Sequence, residues 1–159
     1  MGALSFLDCI KELLDDFLLD GIMSRPTLAY ITVKRENILE ISKLLKKMTN
    51  HISTIVGIDT ETHFQLKYHF SVAYENQQIG VAIELRVPYS EAQVASITPI
   101  YPGALLYEQE IREMLGIEFL GIPDKENLLL PDDSPEVYPL QKSSSIEELK
   151  EDQDDLSQG

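Results

Sequence analysis

The chain has 159 residues, of which 27 are acidic and 13 are basic, so its formal net charge is -14. This length predicts a single domain with a sizeable core, and a hydrophobic fraction of 43% is ordinary for a globular protein. The acidic balance argues against binding to nucleic acids and to anionic lipid surfaces, because both attract basic faces.

The N-terminal segment is predicted to form an amphipathic helix that ends at Gly21. Its apolar residues recur at helical spacing and are Leu7, Ile10, Leu14 and Phe17. Cys9 falls within this apolar pattern, so we expect it to be a buried small hydrophobe. As the only cysteine, it excludes an intramolecular disulfide and a cysteine-built metal cluster. The start of the chain lacks a signal-peptide pattern, and no apolar run approaches the ~20 residues of a membrane span, so we expect a cytoplasmic protein.

A strand, a helix and a second strand are predicted next. Residues 27–33 are rich in β-branched and aromatic side chains, which favours a short strand. Residues 35–50 carry apolar residues on one helical side and lysines in the last turns, where cations suit the helix dipole. Residues 52–58 again have strand character, so the helix is expected to lie between two strands.

The clearest strand pattern covers residues 64–74, where apolar and polar side chains alternate. A polar turn at residues 75–78 joins this run to a similar one at residues 79–87, which predicts an antiparallel hairpin with one buried face. His63 and His69 fall on the solvent face, roughly 20 Å apart along the strand, too far to share one metal ion. The order of elements predicts an α+β fold, in which helices cover one face of a largely antiparallel sheet.

The C-terminal third contains a helix followed by an extended arm. Residues 101–140 begin as a helix closed by Gly116 and continue as an apolar segment that prolines and glycines interrupt. Loops longer than ~12 to 15 residues are uncommon in compact domains unless they are functional or disordered, and this one is too apolar for disorder. We therefore expect the arm to bind a partner protein. The alternative, that the arm folds back over its own sheet, stays open.

The sequence divides the chain into three regions. Residues 1–100 form the α+β part, with an aperiodic connector at residues 88–100. Residues 101–140 add the helix and the partner-binding arm to the same domain. Residues 141–159 are an acidic tail, in which the stretch from residue 143 holds six acids and one lysine. The composition of this tail predicts disorder, or a docking peptide for a basic surface.

No nucleophile elbow, phosphate loop, metalloprotease pair or dinucleotide fingerprint occurs in the sequence. The only candidate for chemistry is a group of carboxylates, of which a metalloenzyme would use Glu108, Glu110 and Glu113. The full group is Glu108, Glu110, Glu113 and Glu118, with Asp132 and Asp133 downstream. A two-metal site would normally add histidine and repeat the motif on a second helix, and neither is present. Glu108 and Arg112 are spaced as a helical ion pair, which explains two of the charges without chemistry. We expect no catalytic, cofactor-binding or metal-binding residue in this chain.

The predicted partner-binding residues lie on the last helix and along the arm. Apolar and aromatic side chains would fill grooves of the partner, while charged side chains would pair at the rim. The set is Tyr107, Glu108, Glu110, Arg112, Glu113, Phe119, Pro123, Asp124, Leu128, Leu129, Leu130, Asp132, Asp133 and Tyr138.

One part of this segment carries a motif. It reads Tyr107-Glu108-Gln109-Glu110, Leu115-Gly116-Ile117, Phe119, Gly121, Pro123-Asp124, Leu128-Leu129-Leu130-Pro131-Asp132-Asp133 and Tyr138-Pro139-Leu140. This run resembles the signature of the thirty-kilodalton subunit of respiratory complex I, a family that includes small subunits of energy-converting membrane-bound nickel-iron hydrogenases. The sequence departs from the family pattern at Gln109, Arg112, Glu113, Ile122, Glu126 and Asn127. These departures, with the short stretch after Leu140, favour the hydrogenase-type members over the quinone-linked ones.

The resemblance implies a structural subunit with no cofactor of its own. Its partners would be a large catalytic subunit similar to the nickel-iron hydrogenase large chain and the iron-sulfur subunits of the same complex, which would hold the iron-sulfur clusters and the nickel-iron centre. The chain would lie at the cytoplasmic side of the membrane, held there by its partners, in a complex that couples redox chemistry to ion movement. The alternatives are a stand-alone carboxylate metalloenzyme and an acidic adaptor or assembly factor.

Overall fold

A computed structural model describes residues 3–25, 27–123, 126, 129 and 138–142. The helices in these residues are α1 (Ala3–Leu14), α2 (Ile38–Leu45) and α3 (Leu105–Leu115). The strands are β1 (Leu18–Arg25), β2 (Leu28–Val33), β3 (Ile52–Asp59), β4 (Phe64–Tyr74), β5 (Gln77–Val87), β6 (Gln93–Ala95) and β7 (Glu118–Leu120). No helix among the described residues is long and apolar enough to cross a bilayer.

The main sheet has five strands in the order β1-β2-β5-β4-β3. Three of its four pairings are antiparallel, and β2 pairs with β5 in parallel. β6 and β7 form a separate two-stranded parallel sheet. The predicted α+β fold with a largely antiparallel sheet is therefore confirmed.

The predicted hairpin is formed by β4 and β5, whose register runs from Phe64 opposite Val87 to Tyr74 opposite Gln77. The turn contains only Glu75 and Asn76, with positive φ angles of 45° and 64°. Two positive φ angles are typical of the type I′ turn, whose twist matches that of the flanking strands. The turn is shorter than the predicted one because Gln77 and its neighbour already pair within the sheet.

One face of the main sheet forms the core. Tyr68 and Phe70 of β4 and Ile83 of β5 are fully buried there, and residues from all three helices belong to the same cluster, including Ile10 and Ile41. The opposite face carries polar side chains such as the Lys67–Glu84 ion pair. Burying an aliphatic side chain stabilises the folded state by about 1.5 to 3 kcal/mol. The helices therefore cover the face of the sheet that carries the apolar side chains.

Two predictions about the N-terminal helix are wrong. The helix ends at Leu14, and the chain then forms β1, which includes Gly21. Aspartate and glycine are poor strand formers, so local propensity favoured a helix end over a strand, but pairing with β2 overrides that preference. Cys9 is exposed, because the buried stripe of the helix follows Phe6 and Ile10 and leaves Cys9 beside it.

Candidate partner-binding site around helix α3

Helix α3 ends where its sequence predicts, whereas the α-helix begins at Leu105, one turn later than the predicted start. The turn Pro102–Ala104 leads into it, with Pro102 in the first turn, where the missing N–H of proline has no helical partner to lose. Gly116 closes it with a φ angle of 76°, and its N–H donates to the carbonyl of Arg112 at 2.9 Å. This left-handed conformation is the one that glycine adopts at helix ends.

The helix lies close against β3 because Gly57 has no side chain. A Cβ atom at Gly57 would lie 2.7 Å from Cδ1 of Leu115 and 3.2 Å from Cγ2 of Ile111. Carbon atoms at such distances repel each other, so a larger residue would have to displace the side chains of Leu115 and Ile111. The close contact sets the position of α3 at the edge of the sheet, beside β3.

Glu108 is fully buried on the inner side of α3. Its Oε2 accepts a hydrogen bond from Oγ of Ser96 at 2.6 Å, and its Oε1 accepts one from the N–H of Ile97 at 2.9 Å. The predicted Glu108–Arg112 ion pair is therefore wrong, because both carboxylate oxygens face the connector. Burial raises the pKa of the Glu108 carboxyl to about 7, although the hydrogen bonds from Ser96 and Ile97 act in the opposite direction. Burial, and to a lesser extent this carboxylate, raise the pKa of Tyr68 well above its usual value.

Two side chains of α3 contact the segment that follows β7. Oε2 of the buried Glu113 accepts a hydrogen bond from the N–H of Leu129 at 2.8 Å. Nη2 of Arg112 donates to the carbonyl of Glu126 at 2.9 Å. Residues 126 and 129 therefore lie against the helix, whereas Glu110 is exposed to solvent.

Four more residues of the predicted set lie in different environments. Phe119 is fully buried in the core of this domain, while Pro123 is exposed. Tyr107 is half-buried, and its hydroxyl donates to the carbonyl of Ser53 on β3 at 2.9 Å. The ring of Tyr138 lies over the helix end, against Gly116. Five residues of the set lie outside the described residues: Asp124, Leu128, Leu130, Asp132 and Asp133.

Residues 138–142 contact the domain itself. The N–H of Leu140 donates to the carbonyl of Met114 at 3.0 Å, and the N–H of Lys142 donates to Oδ2 of Asp59 at 2.8 Å. The fold-back that the sequence left open is therefore the conformation of these five residues. They lie on the end of α3 and the end of β3.

Asp59 holds this returning segment, and sequence analysis did not identify it. Its Oδ1 accepts hydrogen bonds from the Tyr89 hydroxyl and from the N–H of Glu61. Burial alone would raise the pKa of Asp59, but the hydrogen bonds from Tyr89, Glu61 and Lys142 outweigh it and lower the pKa. A groove of about 530 Å³ opens beside these residues. Asp59 is the last residue of β3. Two of its hydrogen-bond partners, Tyr89 and Lys142, are 30 and 83 residues away in the sequence, so no local sequence pattern indicates its role.

Three exposed leucines lie on α3 or are hydrogen-bonded to it through their N–H groups, and we call them the α3 leucine surface: Leu106, Leu129 and Leu140. Their exposed fractions are 58%, 57% and 57%. Leu106 lies seven residues before Glu113, so two helical turns, or about 10 Å along the helix, separate these two residues. The side chain of Glu113 binds the N–H of Leu129. Only Leu129 belonged to the predicted set. Leu106 was missed because its neighbour Tyr107 follows the apolar pattern of the helix, and exposure cannot be read from residue type.

The three helical carboxylates do not converge on one point. Glu108 faces Ser96, Glu113 faces Leu129, and Glu110 is in solvent. Within the described part of the chain, no three histidine, cysteine or acidic side chains are placed to hold a metal ion. The geometry gives the metalloenzyme alternative no support.

Comparison with known proteins identifies the family. The model of the family described as "Respiratory-chain NADH dehydrogenase, 30 Kd subunit" matches residues 31–150. Formate hydrogenlyase subunit 5 of Escherichia coli (strain K12) is 30% identical over 87% of this chain and 25% of its own length. Membrane-bound hydrogenase subunit beta of Pyrococcus furiosus is 30% identical over 70% of this chain and 66% of its own length. An NADH-quinone oxidoreductase subunit of Roseiflexus sp. (strain RS-1) is 29% identical over 86% and 80% of the two chains.

Solved structures share the fold. A chain of the membrane-bound sulfane sulfur reductase, an archaeal respiratory membrane complex, superimposes with a TM-score of 0.77 and 21% identity over 92% of this chain and 90% of that one. The trypsin-resistant fragment of Nqo5 superimposes with a TM-score of 0.61 and 18% identity over 77% and 98% of the two chains. The chain spans only a quarter of formate hydrogenlyase subunit 5, so the match concerns one part of that protein. Because the family model covers most of its length, this chain belongs to the family of the 30 Kd subunit of respiratory-chain NADH dehydrogenase.

Proposed function

We propose that this chain is a non-catalytic structural subunit of a complex I-like membrane-bound oxidoreductase, in which it braces the large catalytic subunit. The complex would be a redox-driven ion pump, and the chain would belong to its hydrophilic arm, peripheral to the membrane on the cytoplasmic side. Its relatives are named as subunits of hydrogenases and of NADH-quinone oxidoreductases, which supports a role within such a complex. The partner that this proposal requires resembles the nickel-iron hydrogenase large chain.

The α3 leucine surface is the observation that carries the proposal. Leu106, Leu129 and Leu140 are each more than half exposed, although Leu106 belongs to α3 and the N–H groups of Leu129 and Leu140 are hydrogen-bonded to α3. Groups of exposed apolar side chains held on a rigid element are typical of protein interfaces, because burying them in a partner removes apolar surface from water. Glu110 is exposed on the same helix and would lie at the rim of such an interface.

A hydrogenase-type complex is the branch that we favour, with nickel-iron and iron-sulfur centres in the partner subunits. The argument rests on the motif departures, three of which are buried: Gln109, Glu113 and Ile122. Relatives named as hydrogenase and as quinone oxidoreductase subunits match at 30% and 29% identity, so overall identity does not separate the branches. Nickel in the purified native complex would support this branch, and a nickel-free complex that reduces quinone would contradict it.

The bracing role is tested by charge substitutions on the leucine surface. A variant carrying Leu106→Glu and Leu129→Glu would place two carboxylates in the interface, and at ~2 kcal/mol or more we expect at least a thirty-fold weaker association with the large subunit. The measurement is co-purification of the large subunit with the tagged chain from native membranes, with each band identified by mass spectrometry.

Leu19 provides a matched control, because it is also a leucine and is 58% exposed. It lies on β1, at the sheet edge opposite β3, four strand spacings or about 19 Å away. Leu19→Glu should leave co-purification unchanged. The proposal fails if the double variant retains the large subunit as well as the control does.

A further inference from the structure

A basic groove of about 570 Å³ lies at the end of α2 that faces β4 and β5. Its lining includes Lys46, Lys47 and His51, together with Ser71 of β4 and Gln78 of β5. No acidic side chain of the described residues lines it. A basic groove is unexpected on a chain whose net charge is -14.

Among the described residues, the two lysines of this groove have no carboxylate as an ion-pair partner. Lys43, the lysine within α2, pairs with Glu40 at 2.7 Å. The ammonium of Lys46 instead lies 4.8 Å from the centre of the Tyr101 ring. Neither Lys46 nor Lys47 forms an ion pair with a carboxylate of the described residues. The groove therefore presents two positive charges that suit an acidic ligand.

The same chain contains an acidic segment within reach of the groove. Residues 147–155 include six carboxylates and one lysine: Glu147, Glu148, Lys150, Glu151, Asp152, Asp154 and Asp155. The chain leads to this segment from Lys142, which is hydrogen-bonded to Asp59 at the C-terminal end of β3. His51 and the groove lie at the N-terminal end of β3, so the two ends are about 23 Å apart. At about 3.3 Å for each extended residue, at least seven residues are needed to cover that distance. The acidic residues from Glu151 to Asp155 lie nine to thirteen residues after Lys142, so they can reach the groove.

We propose that residues 151–155 of this acidic segment dock on the groove lined by Lys46, Lys47 and His51 of the same chain. Attraction between exposed charges in water is weak. Tethering compensates, because a short linker holds the acidic residues at a local concentration in the millimolar range. The contact should be lost at high salt, where exposed charges are screened. The inference is independent of the proposed function, since it concerns two parts of one chain.

Paramagnetic broadening in the full-length chain tests the docking. A nitroxide label is attached at Gln153→Cys after Cys9→Ser removes the native thiol, and a ¹H–¹⁵N spectrum reports on the amides of Thr49, Asn50 and His51. At low salt we expect these three signals to lose most of their intensity. In 1 M sodium chloride, where the Debye length is about 3 Å, the intensity should return.

Charge-matched variants separate the groove from the overall charge of the chain. Lys46→Gln with Lys47→Gln should abolish the broadening at Thr49. Lys34→Gln with Arg86→Gln removes the same charge from exposed side chains outside the groove and should leave the broadening intact. The same spectra show that each variant is folded.

Three results would overturn the inference. The groove signals could keep full intensity at low salt, or the broadening could survive in the Lys46→Gln, Lys47→Gln variant. The third is broadening of the groove when ¹⁵N-labelled chain without nitroxide is mixed with spin-labelled chain that carries no ¹⁵N. That result would mean that the occupant is the acidic segment of a second copy.

Discussion

Glu108 links the stability of this domain to pH. The buried carboxyl has a pKa of about 7, above the value of 4.5 expected in the unfolded chain. A raised pKa means that the stabilising contribution of Glu108 is complete below about 4.5 and is lost as the pH rises through about 7. At 1.36 kcal/mol for each pKa unit, the loss is roughly 3 kcal/mol. Glu108→Gln should remove this dependence, since the amide can accept from Ile97 and donate to Ser96.

The measurement is the free energy of unfolding by urea between pH 5 and pH 8, for the native chain and for Glu108→Gln. We expect the variant to be the more stable protein at pH 8 and the advantage to shrink towards pH 5. Glu110→Gln serves as the control, because Glu110 lies on the same helix but is exposed. A constant difference between native chain and Glu108→Gln across this range would show that Glu108 does not titrate as inferred.

Gly116 combines a positive φ angle with a close aromatic neighbour. A Cβ atom there would lie 2.6 Å from the Tyr138 ring, whereas a Cβ atom at Gly121, where φ is 85°, would have nothing within 4 Å. Both glycine-to-alanine changes should cost about 1 to 2 kcal/mol for the left-handed backbone. Gly116→Ala should lower the free energy of unfolding by about 1 kcal/mol more than Gly121→Ala does, because the Tyr138 ring must shift. Urea midpoints of the two variants test this, and equal losses would mean that Tyr138 does not pack on the helix end.

At the scale of elements, Asp59 fastens the returning segment to the end of β3. Asp59→Asn keeps an acceptor for Tyr89 but turns the group facing the Lys142 N–H into a donor. Since a hydrogen bond to a charged group contributes about 1.5 to 3 kcal/mol, we expect faster hydrogen exchange at the Lys142 amide and a less stable domain at pH 7. The readout is amide exchange followed by NMR.

Glu61→Gln is the control for this change. It removes only the 3.0 Å ion pair with Nζ of Lys142, in which both side chains are exposed. Exposed pairs contribute about 0 to 1 kcal/mol, so exchange at Lys142 should change little. If Glu61→Gln accelerated exchange as much as Asp59→Asn, the side chain of Lys142 and not its backbone would hold the segment.

The elements best predicted from the sequence are those in which apolar and polar side chains alternate regularly. β4 and β5 alternate over eleven residues each, so their pairing and their buried face followed directly. β6 and β7 contain three residues each and pair across a separation of 25 residues, from Gln93 to Glu118. No local pattern marks such pairs. Glu108 was read as one partner of a helical ion pair because spacing shows which residues are near along a helix, but not which side of the helix is buried.

For the whole molecule, the sequence identified the family through the segment at α3, and the family match confirms it. The apolar, proline-interrupted composition of the arm predicted partner binding, but it did not predict which residues of the arm contact their own domain. The described residues of the arm fold back on the domain, with Phe119 in the core and Leu140 bonded to α3, so an apolar, proline-broken stretch does not by itself reveal which side chains remain exposed. Partner binding stays a prediction, and it now concerns the α3 leucine surface.

Site-specific photo-cross-linking within the native complex tests this central claim most directly. A photoreactive phenylalanine derivative replaces Leu106, Leu129 or Leu19, one at a time, and the cross-linked chain is identified by mass spectrometry. We predict that the probes at Leu106 and Leu129 cross-link to the large catalytic subunit and that the probe at Leu19 does not. Cross-links to that subunit from Leu19 alone, or from none of the three positions, would contradict the account.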